Sequence, residues 1–183
     1  MKNIIILLIV LFSISSCNKP NPMELAIKER LVENAAGFDI AYSSEQLAIT
    51  DTITVEKLTK DWFLINNDGN YNEDTLIQKV QEFAKSLEER KAENWEVWKW
   101  KAERITDLKT KPENTVEYYV VKNKYSIVNP LLKAKQTLTR YFLISPDNKI
   151  LLDSDNEKFD VDEESTALTF SYELALLKKK LKL

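Results

Sequence analysis

The spacing of hydrophobic residues changes at Asn94, and this change is the strongest constraint on the fold. Before Asn94, most apolar residues recur every three or four positions, as they do on one face of a helix. After Asn94, bulky and β-branched residues form runs separated by turns rich in proline and asparagine, as strands do. Helices followed by a run of strands are typical of an α+β domain. We therefore predict one α+β domain whose later strands form an antiparallel meander.

Four segments have helical spacing. We predict helices over residues 23–36, 54–65, 73–92 and 165–183. Thr54 is a suitable N-cap for the second helix, and Gly37 suits the end of the first. The remaining apolar runs are too short or too alternating for helices and indicate strands.

We predict strands over residues 38–53, 95–108, 115–128, 134–144 and 149–152. In the first strand three apolar residues share one face, namely Leu47, Ile49 and Ile53. Asp51 interrupts that face. In the third strand, Tyr118 and Val120 are expected on the face opposite Tyr119 and Val121, because successive side chains of a strand alternate.

The segment 95–108 is open to two interpretations. A strand would place Trp95 on one face and both Trp98 and Trp100 on the other. A helix would instead align Trp95, Trp98, Ala102 and Ile105. We predict a strand here and keep the helix as the alternative.

The order of elements over residues 38–153 resembles cystatin-like and nuclear-transport-factor-2-like rolls, and small Bacteroidota lipoproteins built on such rolls. Its most suggestive part is the stretch 118–129 followed by Pro130-Leu131-Leu132. The resemblance implies an antiparallel sheet of four to five strands wrapped around a helix, with helices at the N- and C-terminal ends. It implies no catalytic residues, because such folds host unrelated functions.

The N-terminal segment has the pattern of an export signal. Lys2 precedes an apolar run over residues 4–12, which is too short to span a bilayer. The following Ile14-Ser15-Ser16-Cys17 resembles the lipobox of bacterial lipoproteins, which implies cleavage before Cys17 and acylation of that cysteine. We predict a signal peptide over residues 1–16, a lipidated cysteine and tether over 17–22, and one domain over 23–183. Because Asn18 and not aspartate follows the cysteine, we expect the periplasmic face of the outer membrane.

The composition excludes several kinds of chemistry. The chain has no histidine, which removes the Ser-His-Asp triad, Cys-His catalysis and the common zinc sites. Only Gly37 and Gly69 are glycine, so neither a P-loop nor a dinucleotide-binding motif can be written. The lone cysteine excludes an internal disulfide, and the formal net charge of −3 argues against nucleic-acid binding. We expect no cofactor and no metal.

An acidic loop near residue 153 partly matches a calcium-binding EF-hand. Its acidic residues at ligand positions are Asp153, Asp155, Glu157 and Glu164. Lys158 occupies the position that requires glycine, so we predict a solvated acidic loop.

Aromatic residues supply the candidate contact surface. These are Trp95, Trp98, Trp100, Tyr118 and Tyr141. Such rings can line a site for a partner, although the same residues also fill cores and cover sheets.

Three functions remain open from the sequence. The first is a non-enzymatic module that binds an envelope partner while its acylated Cys17 holds it at the membrane. The second is a carrier with a cavity for a small apolar ligand, lined by Phe83, Leu87, Val120 and Tyr141. The third is an enzyme that uses two carboxylates inside a cavity, as glycosidases do. The absence of catalytic motifs favours the first.

Overall fold

The computed structural model describes residues 21–36, 38–67, 69, 71–129, 133–157, 159 and 168–181. These residues form α1 (Pro22–Asn34), β1 (Ser43–Thr54), α2 (Val55–Asn66), α3 (Glu73–Glu89), α4 (Trp95–Lys109), β2 (Val116–Val128), β3 (Lys135–Ile144), β4 (Ile150–Ser154) and α5 (Leu168–Leu181). The strands form one antiparallel sheet in the order β1-β2-β3-β4. The predicted α+β class, antiparallel sheet and terminal helices are confirmed.

Side-chain caps fix the starts of three helices. The side chain of Asn21 accepts a hydrogen bond from the amide of Met23 at the start of α1. Thr54 accepts from Lys57 at the start of α2, and Asn72 accepts from Thr75 at the start of α3. These bonds satisfy amide groups that a helix leaves without partners in its first turn. The predicted cap at Thr54 is confirmed.

A bulge in β1 changes which face of the sheet its later side chains point to. Ile49 pairs with Val121, whereas Asp51 pairs with Val120, so Thr50 is the extra residue. Paired residues of antiparallel strands point to the same face of a sheet. Leu47 and Ile49, which precede the bulge, therefore face the side of Val121, and Ile53 faces the side of Val120. The prediction that Leu47, Ile49 and Ile53 share one face is wrong for this reason.

Each face of the sheet has its own hydrophobic core. The α1-side core consists of buried residues from α1, the sheet and the loop before β1, namely Ile27, Leu31, Ile40, Val121, Tyr125, Phe142 and Ile144. The α5-side core consists of Ile53, Val55, Leu58, Leu108, Val120, Leu143, Phe159, Tyr172 and Ala175. Strand β2 contributes alternate residues to the two cores, which confirms the opposed faces predicted for it.

Helices α2, α3 and α4 enclose a third cluster, the lobe core. Its buried members are Trp62, Leu76, Val80, Ala84, Ala102 and Ile105. Because α2 and α4 each contribute to the lobe core and to the α5-side core, the helical lobe and the sheet are packed as one body.

The strand predicted over residues 95–108 is wrong, because this segment is helix α4. Trp98, Ala102 and Ile105 are spaced by four and three residues, and all three pack in or against the lobe core. That spacing fits a helix. The strand prediction relied on the preference of bulky aromatic residues for strands, which is a weak and context-dependent preference.

The predicted signal peptide, Cys17, the tether up to residue 20 and Gly37 lie outside the described residues. No helix in the part of the chain that the structure describes is long and apolar enough to cross a membrane.

Candidate functional site: a tryptophan groove between α4 and α5

The three tryptophans at the start of α4 contact two different neighbouring helices. Trp98 packs edge-on against Phe83 of α3, with ring centroids 4.8 Å apart, at the margin of the lobe core. Trp95 and Trp100 line a groove next to α5. Because each residue advances about 100° around the helix axis, Trp100 points about 160° away from Trp98, and Trp95 lies between these two directions, about 60° from Trp98.

Trp95 and Trp100 line a groove with Leu177 and Leu181 of α5. We call it the tryptophan groove. Its volume is about 190 Å³. Leu177 is buried at its base, whereas both tryptophans and Leu181 are half-buried and face the groove. The groove is therefore apolar inside and open to solvent.

The rim of the tryptophan groove carries four charged side chains, namely Glu96, Lys99, Glu103 and Lys180. The ammonium group of Lys99 lies 5.4 Å from the centroid of the Trp95 ring and 2.8 Å from a carboxylate oxygen of Glu88. The rim thus carries both acidic and basic groups, and one of its two basic groups, Lys99, is paired with Glu88 outside the groove lining.

A buried polar group, the Arg104 cluster, holds α5 beside α4. Its members are Arg104, Glu117, Tyr118 and Glu173. Both carboxylate oxygens of Glu173 accept hydrogen bonds from Arg104, at 2.8 Å from Nη2 and 3.0 Å from Nε. Nη2 also donates to Glu117 at 2.9 Å, and the Tyr118 hydroxyl donates to Glu173 at 2.7 Å. The side chain of Arg104 is 13% exposed and that of Glu173 is 7% exposed.

The electrostatics of the Arg104 cluster keep its protons in place. Burial lowers the pKa of Arg104, but the charge of Glu173 and its hydrogen bond outweigh that effect and raise the pKa. Burial, reinforced by the negative charge of Glu173, raises the pKa of Tyr118. Arg104 stays a cation and Tyr118 stays neutral at neutral pH, so neither residue is suited to act as a base or a nucleophile.

The Arg104 cluster positions the tryptophan groove. Arg104 lies four residues after Trp100 on α4, and Glu173 lies four residues before Leu177 on α5. Residues four apart share a face of a helix, so the ion pair and the groove lie on the same helix–helix contact. A bidentate ion pair has a fixed geometry, and a buried polar contact can set the register of two packed elements. We conclude that Arg104 and Glu173 set which residues of α5 face Trp95 and Trp100.

The sequence-predicted contact residues do not form one surface. Trp95 and Trp100 meet in the tryptophan groove, but Trp98 belongs to the lobe. Tyr118 belongs to the Arg104 cluster. Tyr141 packs at the margin of the α5-side core, with the ammonium of Lys122 5.7 Å from its ring centroid.

The cavity predicted for an apolar ligand is not formed by its four residues. Phe83 is 44% exposed on α3, and Leu87 lies on the same helix. Val120 is fully buried in the α5-side core, which Tyr141 borders. These two pairs of residues belong to different parts of the molecule, because α3 packs on α4 in the lobe and not on the sheet.

The arrangement also bears on the two-carboxylate hypothesis. Glu117 and Glu173 approach each other, but the same nitrogen of Arg104 contacts both. The space beside them, which Trp100, Arg104 and Glu173 help to line, is only about 10 Å³. This volume holds nothing larger than one water molecule.

Asp153, the first residue of the EF-hand-like loop, takes part in a different interaction. Its carboxylate oxygens lie 3.3 Å from Nε of Arg30 and 3.0 Å from Nη2 of Arg140. Asp153 thereby links α1 to the sheet. Among the described residues no group of three or more acidic, cysteine or histidine side chains is arranged to hold a metal ion.

A larger groove of about 540 Å³ runs between α3 and α4. Ala84 and Ala102 are buried at its base, and its walls are polar and charged side chains without an aromatic ring. The Lys99–Glu88 ion pair joins its two walls. Aromatic side chains supply most of the energy of recognition surfaces, so we consider the smaller tryptophan groove the stronger candidate.

Sequence reasoning missed Arg104, Glu173, Leu177 and Leu181. Arg104 and Glu173 are 69 residues apart and each looks like an ordinary charge on a solvated helix face. The only available signal was the i, i+4 spacing of Glu173, Leu177 and Leu181. That spacing becomes meaningful only when α5 is known to lie beside α4.

Comparisons of the chain with known protein families, curated proteins and solved structures found no match.

Proposed function

We propose that this protein is a lipid-anchored protein of the bacterial cell envelope and acts as a non-enzymatic binding module. Its contact surface is the tryptophan groove. One observation carries the proposal. Two half-buried indoles and a buried leucine form an open groove at the surface, and acidic and basic side chains surround it. Tryptophan is enriched among residues that dominate binding energy.

The anchor is supported by the sequence. The segment Ile14-Ser15-Ser16-Cys17 has the pattern of a lipobox, and the domain begins with α1 at Pro22. Five residue steps reach at most about 18 Å, because an extended chain spans no more than about 3.6 Å per residue. Acyl chains on Cys17 would therefore hold the domain close to the bilayer, on the periplasmic face of the outer membrane.

The non-enzymatic character is supported by how the polar groups are used. The chain has no histidine, and the buried carboxylate Glu173 is bound by Arg104 and Tyr118. A buried group whose charge is fully compensated contributes to structure. The space beside this carboxylate, about 10 Å³, is also too small to hold a substrate.

Membrane fractionation tests the anchor. In a Gram-negative host fed a labelled fatty acid, the wild-type chain should take up the label and sediment with the membranes. Cys17→Ala should lose the label and move to the soluble fraction. Ser16→Ala is the control, because it keeps a small residue before the cysteine and should behave as wild type. Labelling of Cys17→Ala would contradict the proposed anchor.

Site-specific photocrosslinking tests the contact surface. A photoreactive residue at Glu96, on the rim of the tryptophan groove, should crosslink a discrete envelope component. The same residue at Glu82, exposed on α3, is the matched control and should not. The crosslink should disappear in a Trp100→Ala background. Equal crosslinking from both positions would show that the groove is not the contact surface.

A further inference from the structure

We infer that the tryptophan groove binds an uncharged sugar ring within an oligosaccharide. This inference rests on the proposed function, because it names the ligand of the same site. It follows from the size of the groove and the chemistry of its walls and its rim.

The size of the groove fits one ring. Sites for drug-sized ligands have volumes of about 300–1,000 Å³, whereas the tryptophan groove has about 190 Å³. It is open to solvent, so the neighbouring rings of a chain can extend beyond it. A single ring is therefore the largest unit that the groove holds at one time.

The walls offer flat apolar surfaces. A pyranose ring has faces composed of C–H groups, and its hydroxyl groups project outward from its edge. The face of an aromatic ring carries partial negative charge and attracts the weakly positive hydrogens of such C–H groups. Trp95 and Trp100 contribute indole rings to these walls, with the Lys99 ammonium 5.4 Å from the centroid of the Trp95 ring, and Leu177 supplies an apolar base.

The rim matches the edge of a sugar ring. Glu96 and Glu103 accept hydrogen bonds, and Lys99 and Lys180 donate them, so hydroxyl groups find both kinds of partner. Glu88 pairs with Lys99 and adds a third carboxylate beside the groove, so the surroundings of the rim do not attract an anionic sugar. An acyl chain or an apolar helix is a poorer occupant, because it would remove these charges from water without replacing their hydrogen bonds.

Ligand-observed NMR and calorimetry test the inference on the full-length chain in a sugar-free zwitterionic detergent. The ligands are cellotriose, chitotriose, glucose and, as a charged comparison, a uronic-acid trisaccharide. We expect saturable binding of at least one neutral trisaccharide. Trp100→Ala should weaken it by about tenfold or more, because it removes both the aromatic contact and the apolar area that the indole buries against the sugar.

Two further variants distinguish a loss of sugar binding from a loss of the fold. Leu181→Trp places a large ring in the groove from a half-buried position and should abolish binding while the chain stays folded. Trp98→Phe, which alters a tryptophan that packs against Phe83 and does not line the groove, is the matched control and should bind as wild type. Circular dichroism monitors the fold of each variant.

The outcomes separate this inference from the proposed function. If no neutral saccharide binds the folded wild-type chain, or if Leu181→Trp binds as well as wild type, the sugar inference is wrong. Binding of the uronic-acid ligand alone, or of glucose but no trisaccharide, would also overturn it. A crosslink at Glu96 that persists without sugar binding would preserve the binding module and remove only its sugar ligand. Sugar binding in a chain that is never lipidated would preserve the sugar site and the binding module and remove only the proposed anchor.

Discussion

Helices α1 and α5 cover opposite faces of the same sheet, and each is linked through an arginine to an acidic residue. On the α1 side, Arg30 contacts Asp153 of β4, and the arginine side chain is 35% exposed. On the α5 side, Arg104 contacts Glu173, and the arginine side chain is 13% exposed. The acidic partners are similarly buried, 10% exposed for Asp153 and 7% exposed for Glu173, so the two links differ in how far the arginine is removed from water.

This difference decides which link the fold depends on. The Arg30–Asp153 pair is expected to contribute little, because water reaches the arginine and Asp153 keeps a second cation, Arg140, when the pair is broken. A buried pair is expensive to break, because the group left behind is a charge without a partner. We therefore expect single substitutions of polar groups on the α5 side to lower the free energy of unfolding strongly. On the α1 side, we expect stability to depend mainly on the apolar core.

The largest effect is expected for Arg104→Met. This change leaves Glu173 buried without its cation and removes one contact of Glu117. The free energy of unfolding should fall by about 3–5 kcal/mol, as measured by urea denaturation. A loss below about 1 kcal/mol would mean that the Arg104 cluster is not required to hold α5.

A second comparison uses two tyrosines of the α5 side. Tyr118→Phe removes a hydrogen bond to the charged Glu173 and should cost about 1.5–3 kcal/mol. Tyr172→Phe removes a buried hydroxyl that has no hydrogen-bond partner among the described residues, so it should stabilise the protein by about 1 kcal/mol. Thermal unfolding of both variants checks the opposite signs. Destabilisation by Tyr172→Phe would indicate that its hydroxyl has a partner in solution.

High pH should destabilise the protein because tyrosines with a raised pKa lie on both faces of the sheet. Burial raises the pKa of Tyr118 and Tyr172 on the α5 side, and of Tyr42 and Tyr125 on the α1 side. Above about pH 10 the unfolded chain loses these protons and the folded chain retains them, so unfolding releases protons. The free energy of unfolding should then fall by about 1.4 kcal/mol per pH unit for each such tyrosine.

The Tyr118→Phe variant isolates the contribution of Tyr118 to this pH dependence. Its stability should decline less steeply between pH 10 and 11 than that of the wild-type chain, because one proton fewer is released. Urea denaturation at several pH values provides the slopes. Identical slopes would show that Tyr118 keeps an ordinary pKa in the folded state.

The smallest effect is expected for Arg30→Met. The guanidinium of Arg30 is partly solvated, and Asp153 keeps its second contact with Arg140. The free energy of unfolding should fall by about 0.2–1 kcal/mol. A loss as large as that of Arg104→Met would remove the distinction between the two sides.

Much of the fold follows from local patterns in the sequence. The Thr54 cap, the helical spacing in α2 and α3, and the alternation of Tyr118–Val121 each predict the element that is present. Two predictions failed where packing decided the outcome. The Thr50 bulge moves Ile53 to the opposite face of the sheet, and the lobe core selects a helix for the tryptophan segment.

Only part of the candidate site follows from the sequence. Trp95 and Trp100 attract attention as aromatic residues, but nothing in their neighbourhood shows that Trp98 belongs elsewhere. Leu177 and Leu181 look like core residues of a terminal helix. Their place beside the tryptophans depends on a contact between segments about 80 residues apart, which no local spacing encodes.

The sequence by itself determined the element types other than that of the tryptophan segment, the terminal helices and the lipobox-like segment, because periodicity, caps and short motifs act between neighbouring residues. The tertiary structure alone decided which flank of α4 faces α5, which face Ile53 occupies and which charges are buried. Those outcomes depend on the removal of side chains from water by distant parts of the chain. For this reason an arginine and a glutamate that look like surface charges in the sequence are the groups that position the tryptophan groove.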